Sequence, residues 1–494
     1  MNLLDSIEGS AIAADLPSAK LKWSENQDAV FEAVKTPENI LIQAVAGSGK
    51  STTIIEATKH APGSSLFMAF NKAIAQDIER KGPAGDVKTL NALGHRIVLE
   101  NHPAQLNAYK TRDVLKTMIS DQEFLREHGY TLSRAVGLAK NNCFGIGRGE
   151  GPEEFSDLIE AYFDVNSDQL AMMGELAYTA FTQTRNDTQT FDFDDQLYWP
   201  VYNGWEFPLY DNIFVDECQD LSPIQHMMLD RLSYHINRDH RGRIVAVGDR
   251  HQAIYGFRGA ASNSMELLKK KFSMIELPLS TTFRCAQDIV KEAQFYNPQI
   301  QAREGAPQGE VWDVDRDPNL WVDGLIICRN NAPLFKAILR HVRAKSPCRV
   351  LSNFLDSFQG FVRSFKTTYT SELRDKLDQW YLKEKAAAER LRQMGKLDSL
   401  KDKYETVKLL SLEFKQTQDV IRLVERLGQG TSGPTFATVH KSKGLENQMV
   451  YILRPDLMPA FYAQTEDQKR QENNLIYVAI TRAKESLIWG ERLS

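Results

Sequence analysis

The chain has 494 residues, 42% of them hydrophobic and 25% charged, with a formal net charge of −5. That length exceeds what one hydrophobic core organises, so several domains are expected, and no 18-residue apolar run is present to span a membrane as a helix. The five cysteines (Cys143, Cys218, Cys285, Cys328 and Cys348) are odd in number and include no C-x-x-C pair, so they offer neither a disulfide scaffold nor a zinc or iron–sulfur framework, and a reducing cytoplasm is the simplest setting. The mildly acidic total leaves nucleic acid open as a partner, because a groove needs only local basic density.

In chain order, residues 1–22 lack a basic segment ahead of an apolar stretch and read as a loose leader, not a signal peptide. Short, near-continuous apolar runs follow at 39–45, 64–70, 212–217, 243–249, 324–329 and 449–454, each ending at a polar or glycine-bearing turn. Strands covered on both faces by helices have this pattern, and with helical stretches between them it predicts an α/β fold with parallel sheets. Two regions break the rhythm. Residues 91–190 are mostly helical by pattern, and residues 355–427 are richer still in helix formers and charge, as in a solvated helical hairpin or short coiled coil. The second reads as a helical domain inserted into a second α/β domain.

The first apolar run leads into AVAGSGKST, Ala44–Thr52. Gly47 and Gly49 let backbone N–H groups face phosphate oxygens, Lys50 supplies a charge for the β/γ-phosphates, and the Ser51 hydroxyl can ligate Mg²⁺. The helix that follows points its positive N-terminus at the same anion. Ala44 stands where such loops usually open with glycine. The run NIFVDECQD ends in Asp216, placed to hold Mg²⁺ through water, and Glu217, placed to polarise an attacking water as general base. A third run opens into VGDRHQAIYGFRGA, where Gln252 can reach a γ-phosphate and the aromatics Tyr255 and Phe257 suit base stacking.

These three motifs, in this order and spacing, resemble motifs I, II and III of UvrD/Rep-type superfamily 1 DNA helicases, in wording closest to the F-box DNA helicase subgroup but without an F-box. Further segments are similar to the remaining motifs: WSENQDA (23–29) to the Q motif, AFNKAIA (69–75) and TLNALGHRI (89–97) to Ia and Ib, and FDFDDQL (191–197) to the acidic stretch before motif II. LSTTFR (279–284) and ICRNNA (327–332) resemble IV and IVa, and TVHKSKGLE (438–446) and NNLIYVAITRAKESL (473–487) resemble V and VI. The resemblance implies two RecA-like domains, one from residues 1–90 and 191–279 with helical insertion 91–190, the other from 280–345 and 435–494 with insertion 346–434. It implies an ATP site in which Gln27 reads adenine, Ala46, Gly47, Ser48, Gly49, Lys50, Ser51 and Thr52 hold the phosphates, Phe283 stacks under the base and Glu446 accepts from the ribose. Arg284 and Arg482 would be arginine fingers reaching the γ-phosphate from the second domain.

The resemblance further implies single-strand contacts from Asn71, Thr89, Tyr255, Phe257, Arg258, Arg329, Asn331 and His440. The expected protein is therefore a monomeric, cytoplasmic, ATP- and Mg²⁺-dependent motor on single-stranded DNA and its duplex junctions. It would run 3′→5′ and work beside replication, recombination or repair proteins. Asn91 stands where motif Ib usually has histidine, and AFNKA is one residue tighter than the usual motif Ia. The short second insertion favours, as a rival, a translocase that strips proteins but unwinds little. An RNA helicase and a P-loop switch without motor action also compete with the DNA motor.

Overall fold

The computed structural model describes residues 22–69, 71–147, 149–163, 165, 167–235, 240–254, 263–390 and 394–491. All but the last residue of the expected leader, and Tyr255, Phe257 and Arg258, lie outside the described residues.

Two six-stranded sheets, each parallel throughout, organise the fold. The first has the order Ile275–Leu279, Ile40–Ala44, Arg243–Gly248, Asn212–Val215, Ser65–Ala69, Asp86–Thr89. Its central strands are apolar on both faces because both are covered. Ile40, Ile42, Val245 and Val247 point into one layer, with Phe31 and Ile54 from the flanking helices. Leu41, Ile244 and Ala246 point into the other. The alternation is that of any strand; only the burial of both sides removes the polar positions. At about 1.5–3 kcal/mol for each large aliphatic side chain fully buried, this double burial dominates the favourable side of folding.

The helices between Leu90 and Asn186 do not form a core apart. Leu93, Ile97, Leu132, Phe155 and Phe181 join the same apolar layer as Leu41 and Ile213. The acids of the stretch 191–197 are used inside this helical region. Asp192 and Asp195 lie 3.1 and 2.7 Å from Lys140 Nζ, and Asp195 lies 2.9 Å from Lys110 Nζ, with both lysines buried.

The second sheet has the order Glu310–Asp313, Ala483–Trp489, Asn447–Ile452, Leu325–Cys328, Thr435–Thr438, Arg349–Leu351. Ile326 and Cys328 face one layer, which also receives Phe358, Leu373, Val407 and Val420 from the inserted helices Asn353–Ser364, Thr370–Arg390, Met394–Ser411 and Thr417–Leu427. Leu325 and Ile327 face the other, which holds helix Glu466–Ile480 and also takes in Val45, Ala46 and Ile254 from the first half of the chain, meaning the part through Leu279 that builds the first sheet. The two sheets therefore share one apolar seam.

The two helical regions also meet, through Lys366 Nζ on Glu123 Oε1 at 2.5 Å and Lys396 Nζ donating to the Val165 carbonyl at 3.4 Å. Among the described residues no helix is long and apolar enough to cross a membrane.

Candidate active site

Strands Ile40–Ala44, Arg243–Gly248 and Asn212–Val215 are neighbours, so the loops that follow them leave the same carboxyl edge of the sheet, where open α/β sheets bind ligands. Ala44 is the last residue of its strand and is wholly buried beside Ile40 and Ile42. Its backbone is ordinary strand, which is why alanine serves there in place of glycine. The left-handed turns fall later, at Gly47 (φ +72) and Gly49 (φ +76). A Cβ on Gly47 would also sit 2.5 Å from Arg284 Cβ and 2.7 Å from Thr282 Oγ1, so the loop is glycine-bearing partly because the second half of the chain packs on it.

Lys50 opens the helix Lys50–His60, and Gly49 at its N-cap brings no side-chain acceptor, leaving first-turn N–H groups for an anion. Inside the loop, Ser48 Oγ is buried and has no partner among the described residues.

Ser51 Oγ donates to Asp216 Oδ2 at 2.9 Å, and Lys50 Nζ stands 3.4 Å from Glu217 Oε1. Glu217 adopts the left-handed region (φ 52, ψ 40), a conformation costly for a residue with a side chain and found where a site constrains the backbone. Gln219 Nε2 donates to its carboxylate. Burial, followed by the charge of Glu217, pushes the Asp216 carboxyl up to about 6. Burial also opposes the charge of Glu217, but Lys50 and Lys443 outweigh it and hold that carboxyl down to about 2. For Lys50 burial is likewise overcome by Glu217, Asp249 and Asp216, which raise its pKa. The adjacent acids are thus electrostatically unlike: one is held ionised, and the other gains from a nearby cation.

Beside them, buried Asp249 accepts from the His251 N–H at 3.0 Å and from Gln252 Nε2 at 2.8 Å. Gln219 Oε1 in turn accepts from the Asp249 N–H at 3.1 Å.

The second half of the chain closes the site. The Phe283 N–H donates to the Gly47 carbonyl at 2.8 Å, leaving its ring 45% exposed beside the loop. Arg284 Nε donates to Glu446 Oε2 at 2.7 Å and its Nη1 to the Thr481 carbonyl at 3.0 Å, while Lys484 holds the other oxygen of Glu446 at 2.6 Å. Arg482 is buried and donates to the carbonyls of Val478 (2.9 Å) and Leu445 (3.2 Å) and to Thr481 Oγ1 (3.2 Å). Among the described residues no carboxylate lies within ion-pair distance of it, and burial, then Arg284, push its pKa down to about 10. A buried cation facing only neutral acceptors favours an incoming anion. Across the site, Gln27 Nε2 donates to Thr53 Oγ1 at 2.8 Å and lies 3.7 Å from where a Gly49 Cβ would stand. Thr52 is exposed in the first turn of the helix after the loop.

The expected single-strand contacts divide. Asn71 and Thr89 cap helices Lys72–Arg80 and Leu90–Asn101 at the sheet's carboxyl edge, accepting from the N–H groups of Ile74 (2.9 Å) and Ala92 (3.1 Å). His440 is half-buried in the short helix Val439–Ser442. Arg329 and Asn331 form hydrogen bonds within the protein. Arg329 spends its five N–H donors on Glu472 (twice), Asp398, Asn330 and Tyr462. Asn331 donates to Asp402 at 2.8 Å and accepts from Ser352 at 2.6 Å. The inserted helix Met394–Ser411 brings both acids down onto this strand end, which no local motif announces.

Three further residues reach across the site. Lys443 Nζ binds Asp220 Oδ2 at 2.5 Å and the Gln252 carbonyl at 2.8 Å. Asn474 and Tyr477 on helix Glu466–Ile480 bind backbone groups of the first half of the chain. Their motifs were visible in sequence, but contacts to distant backbone atoms leave no spacing to read.

A family model described as UvrD-like helicase C-terminal domain matches residues 120–490. The chain is 25% identical to F-box DNA helicase protein 1 of Schizosaccharomyces pombe, covering 97% of this chain and 58% of that protein. It is 23% identical to F-box DNA helicase 1 of Gallus gallus, covering 95% and 49%. With ATP-dependent DNA helicase UvrD1 of Mycobacterium leprae it shares 24% identity over 58% of this chain and 39% of that one. The chain thus spans about half the length of the first two relatives.

Proposed function

The chain belongs to the UvrD-like helicase family, and from that premise we propose that it is an ATP-driven motor that moves along single-stranded DNA with 3′→5′ polarity and opens duplex at junctions. The observation that carries this reading is Arg482, a buried guanidinium without a carboxylate partner among the described residues, set beside Arg284 on the half of the chain that packs against the phosphate loop.

The site fits nucleotide and metal. The orphaned Ser48 hydroxyl and the unpaired arginine ask for an anion, and the buried Asp216 carboxyl asks for a cation. Ser51 and Asp216 would hold Mg²⁺, which when bound would neutralise phosphate charge. Lys50 and the N–H groups of the loop bind the phosphates, Phe283 stacks on the base, and Gln27 and Glu446 select adenine and ribose. Glu217, held ionised by Lys50 and Lys443, takes the proton of the attacking water at its carboxylate. Arg284 and Arg482 form charge-assisted bonds to the γ-phosphate, so the second half of the chain seats fully only when that group is present. Hydrolysis removes the bonds and loosens the seat, the elementary step of a motor. Asn71, Thr89 and His440, with Tyr255, Phe257 and Arg258, would line the strand's path, and Arg329 and Asn331 would support its wall.

The test is ATP turnover with and without poly(dT), with poly(U) in parallel, followed by unwinding of 3′- and 5′-tailed duplexes and displacement of streptavidin from biotinylated single strands. The expected result is stimulation by poly(dT) above poly(U) and unwinding from the 3′ tail. Lys50→Ala should lower turnover by about 10²-fold or more, the scale of one lost transition-state charge contact, while single-stranded DNA still binds. Turnover that survives this change would refute the site assignment. Displacement without unwinding would favour a translocase that strips proteins.

A further inference from the structure

Helix Glu466–Ile480 runs along the seam and ends two residues before Arg482. Asn474 and Tyr477 lie one turn apart on it, both buried, and both reach loops of the first sheet. The two amide hydrogens of Asn474 go to the carbonyls of Arg250 (3.1 Å) and Ala253 (3.0 Å), the residues that bracket Gln252. The Tyr477 hydroxyl accepts from the Ala46 N–H at 3.0 Å and from the Asn297 amide at 3.3 Å, and its ring meets the His251 ring edge-on at 5.8 Å. The Ala46 N–H thereby ties the phosphate loop to the second half of the chain. One helix accordingly fixes the phosphate loop, the turn that carries Gln252 and the guanidinium of Arg482.

We propose that Asn474 and Tyr477 are positioning residues that make ATP turnover conditional on the seat of the second sheet, by setting where Gln252 and the phosphate loop stand. The proposal rests on the ATPase reading above. An amide that bridges two carbonyls across a short turn fixes that turn's backbone in a way that neither a carboxylate nor a methyl group reproduces, because the bridge needs two donors. Misplacing a reacting group by about 1 Å costs on the order of 10²-fold in rate, whereas phosphate binding by Lys50 and the loop is spread over many contacts. Loss of the clamp should therefore appear in kcat far more than in nucleotide affinity.

The experiment compares the full chain with its Lys50→Ala, Asn474→Asp and Tyr477→Phe variants. It measures kcat and KM for ATP with saturating poly(dT), and the Kd of a fluorescent ATP analogue. Asn474→Ala replaces the aspartate variant should that one fail to fold, and circular dichroism checks each preparation. Both clamp variants should show kcat reduced by about tenfold or more, with nucleotide Kd within about threefold of the parent. An unchanged kcat in Tyr477→Phe together with Asn474→Ala or Asn474→Asp overturns the clamp and leaves the ATPase reading standing. Parallel losses of affinity and turnover overturn it too, because they would make the pair a binding element. A parent chain without Lys50-dependent turnover overturns both readings.

Discussion

Arg482 is inserted whole into the seam, where its guanidinium meets two carbonyls, one hydroxyl and the repulsion of Arg284. Among the described residues no carboxylate lies within ion-pair distance of that charge, the observation behind its proposed role as an arginine finger. Arg482→Ala is expected to keep nucleotide affinity within a few-fold and to lower kcat by about 10³-fold, the scale of an arginine finger. Single-turnover hydrolysis beside equilibrium nucleotide binding checks this, and an unchanged kcat would sink the two-sided site. This residue was readable from local wording, as were Lys50, Asp216 and Glu217, because each sits at the end of a strand or helix in a fixed sequence pattern. The electrostatic inequality of Asp216 and Glu217 was not readable. It comes from burial and from the charges of Lys50 and Lys443 on Glu217, and Lys443 lies 226 positions beyond Glu217 in the chain, counted from their residue numbers.

At the scale of elements, the turn that follows Asp216 is held from behind by helices Pro223–Ser233 and Ser264–Lys271. Ser264 Oγ donates to the Cys218 carbonyl at 2.6 Å, so the 2.8 Å contact from His226 Nε2 to that hydroxyl places the imidazole proton on Nε2. Burial, then Lys271, lowers the His226 pKa to about 4. A histidine held neutral contributes stability fully above its unfolded value near 6.5 and loses it as pH falls from there through about 4. The full chain should therefore lose about 2–3 kcal/mol between pH 7 and pH 4 that a His226→Gln variant does not lose, measured by urea unfolding at each pH. Equal pH slopes would show that burial of His226 is not the cause. The same scale explains which strands the sequence announced. The six apolar runs are strands with both faces covered, although Thr435–Thr438, equally covered, hides behind its threonines. Ile275–Leu279 and Glu310–Asp313 are sheet edges, largely exposed and in one case carrying Pro278, so they lack the continuous apolar pattern. Ala483–Trp489 is an inner strand concealed by Lys484, Glu485 and Ser486 at its start.

For the whole molecule the question is which contacts hold the two halves together. Among the described residues two ion pairs cross between them, in very different surroundings. Lys443 and Asp220 keep 10% and 3% of their side-chain surface, whereas Lys366 and Glu123 keep 55% and 69%. Removing one partner of a buried pair costs about 3–5 kcal/mol, whereas an exposed pair contributes about 0–1 kcal/mol and is screened by salt. The halves should therefore be held at the seam, and the meeting of the helical regions should yield first. The Phe283 N–H bound to Gly47 and the Ala46 N–H bound to Tyr477 report the seam directly, because separating the halves exposes both to solvent. In hydrogen exchange followed by mass spectrometry, Lys443→Ala should speed exchange of peptides covering residues 45–48 and 282–285 by about 10²-fold, the equivalent of roughly 3 kcal/mol of lost closure. Lys366→Ala should change the same peptides by no more than a few-fold. The double variant Lys443→Met, Asp220→Leu should recover most of the protection, since replacing both partners removes the uncompensated charge. If Lys366→Ala opens the seam as far as Lys443→Ala does, the helical regions and not the buried seam hold the halves together.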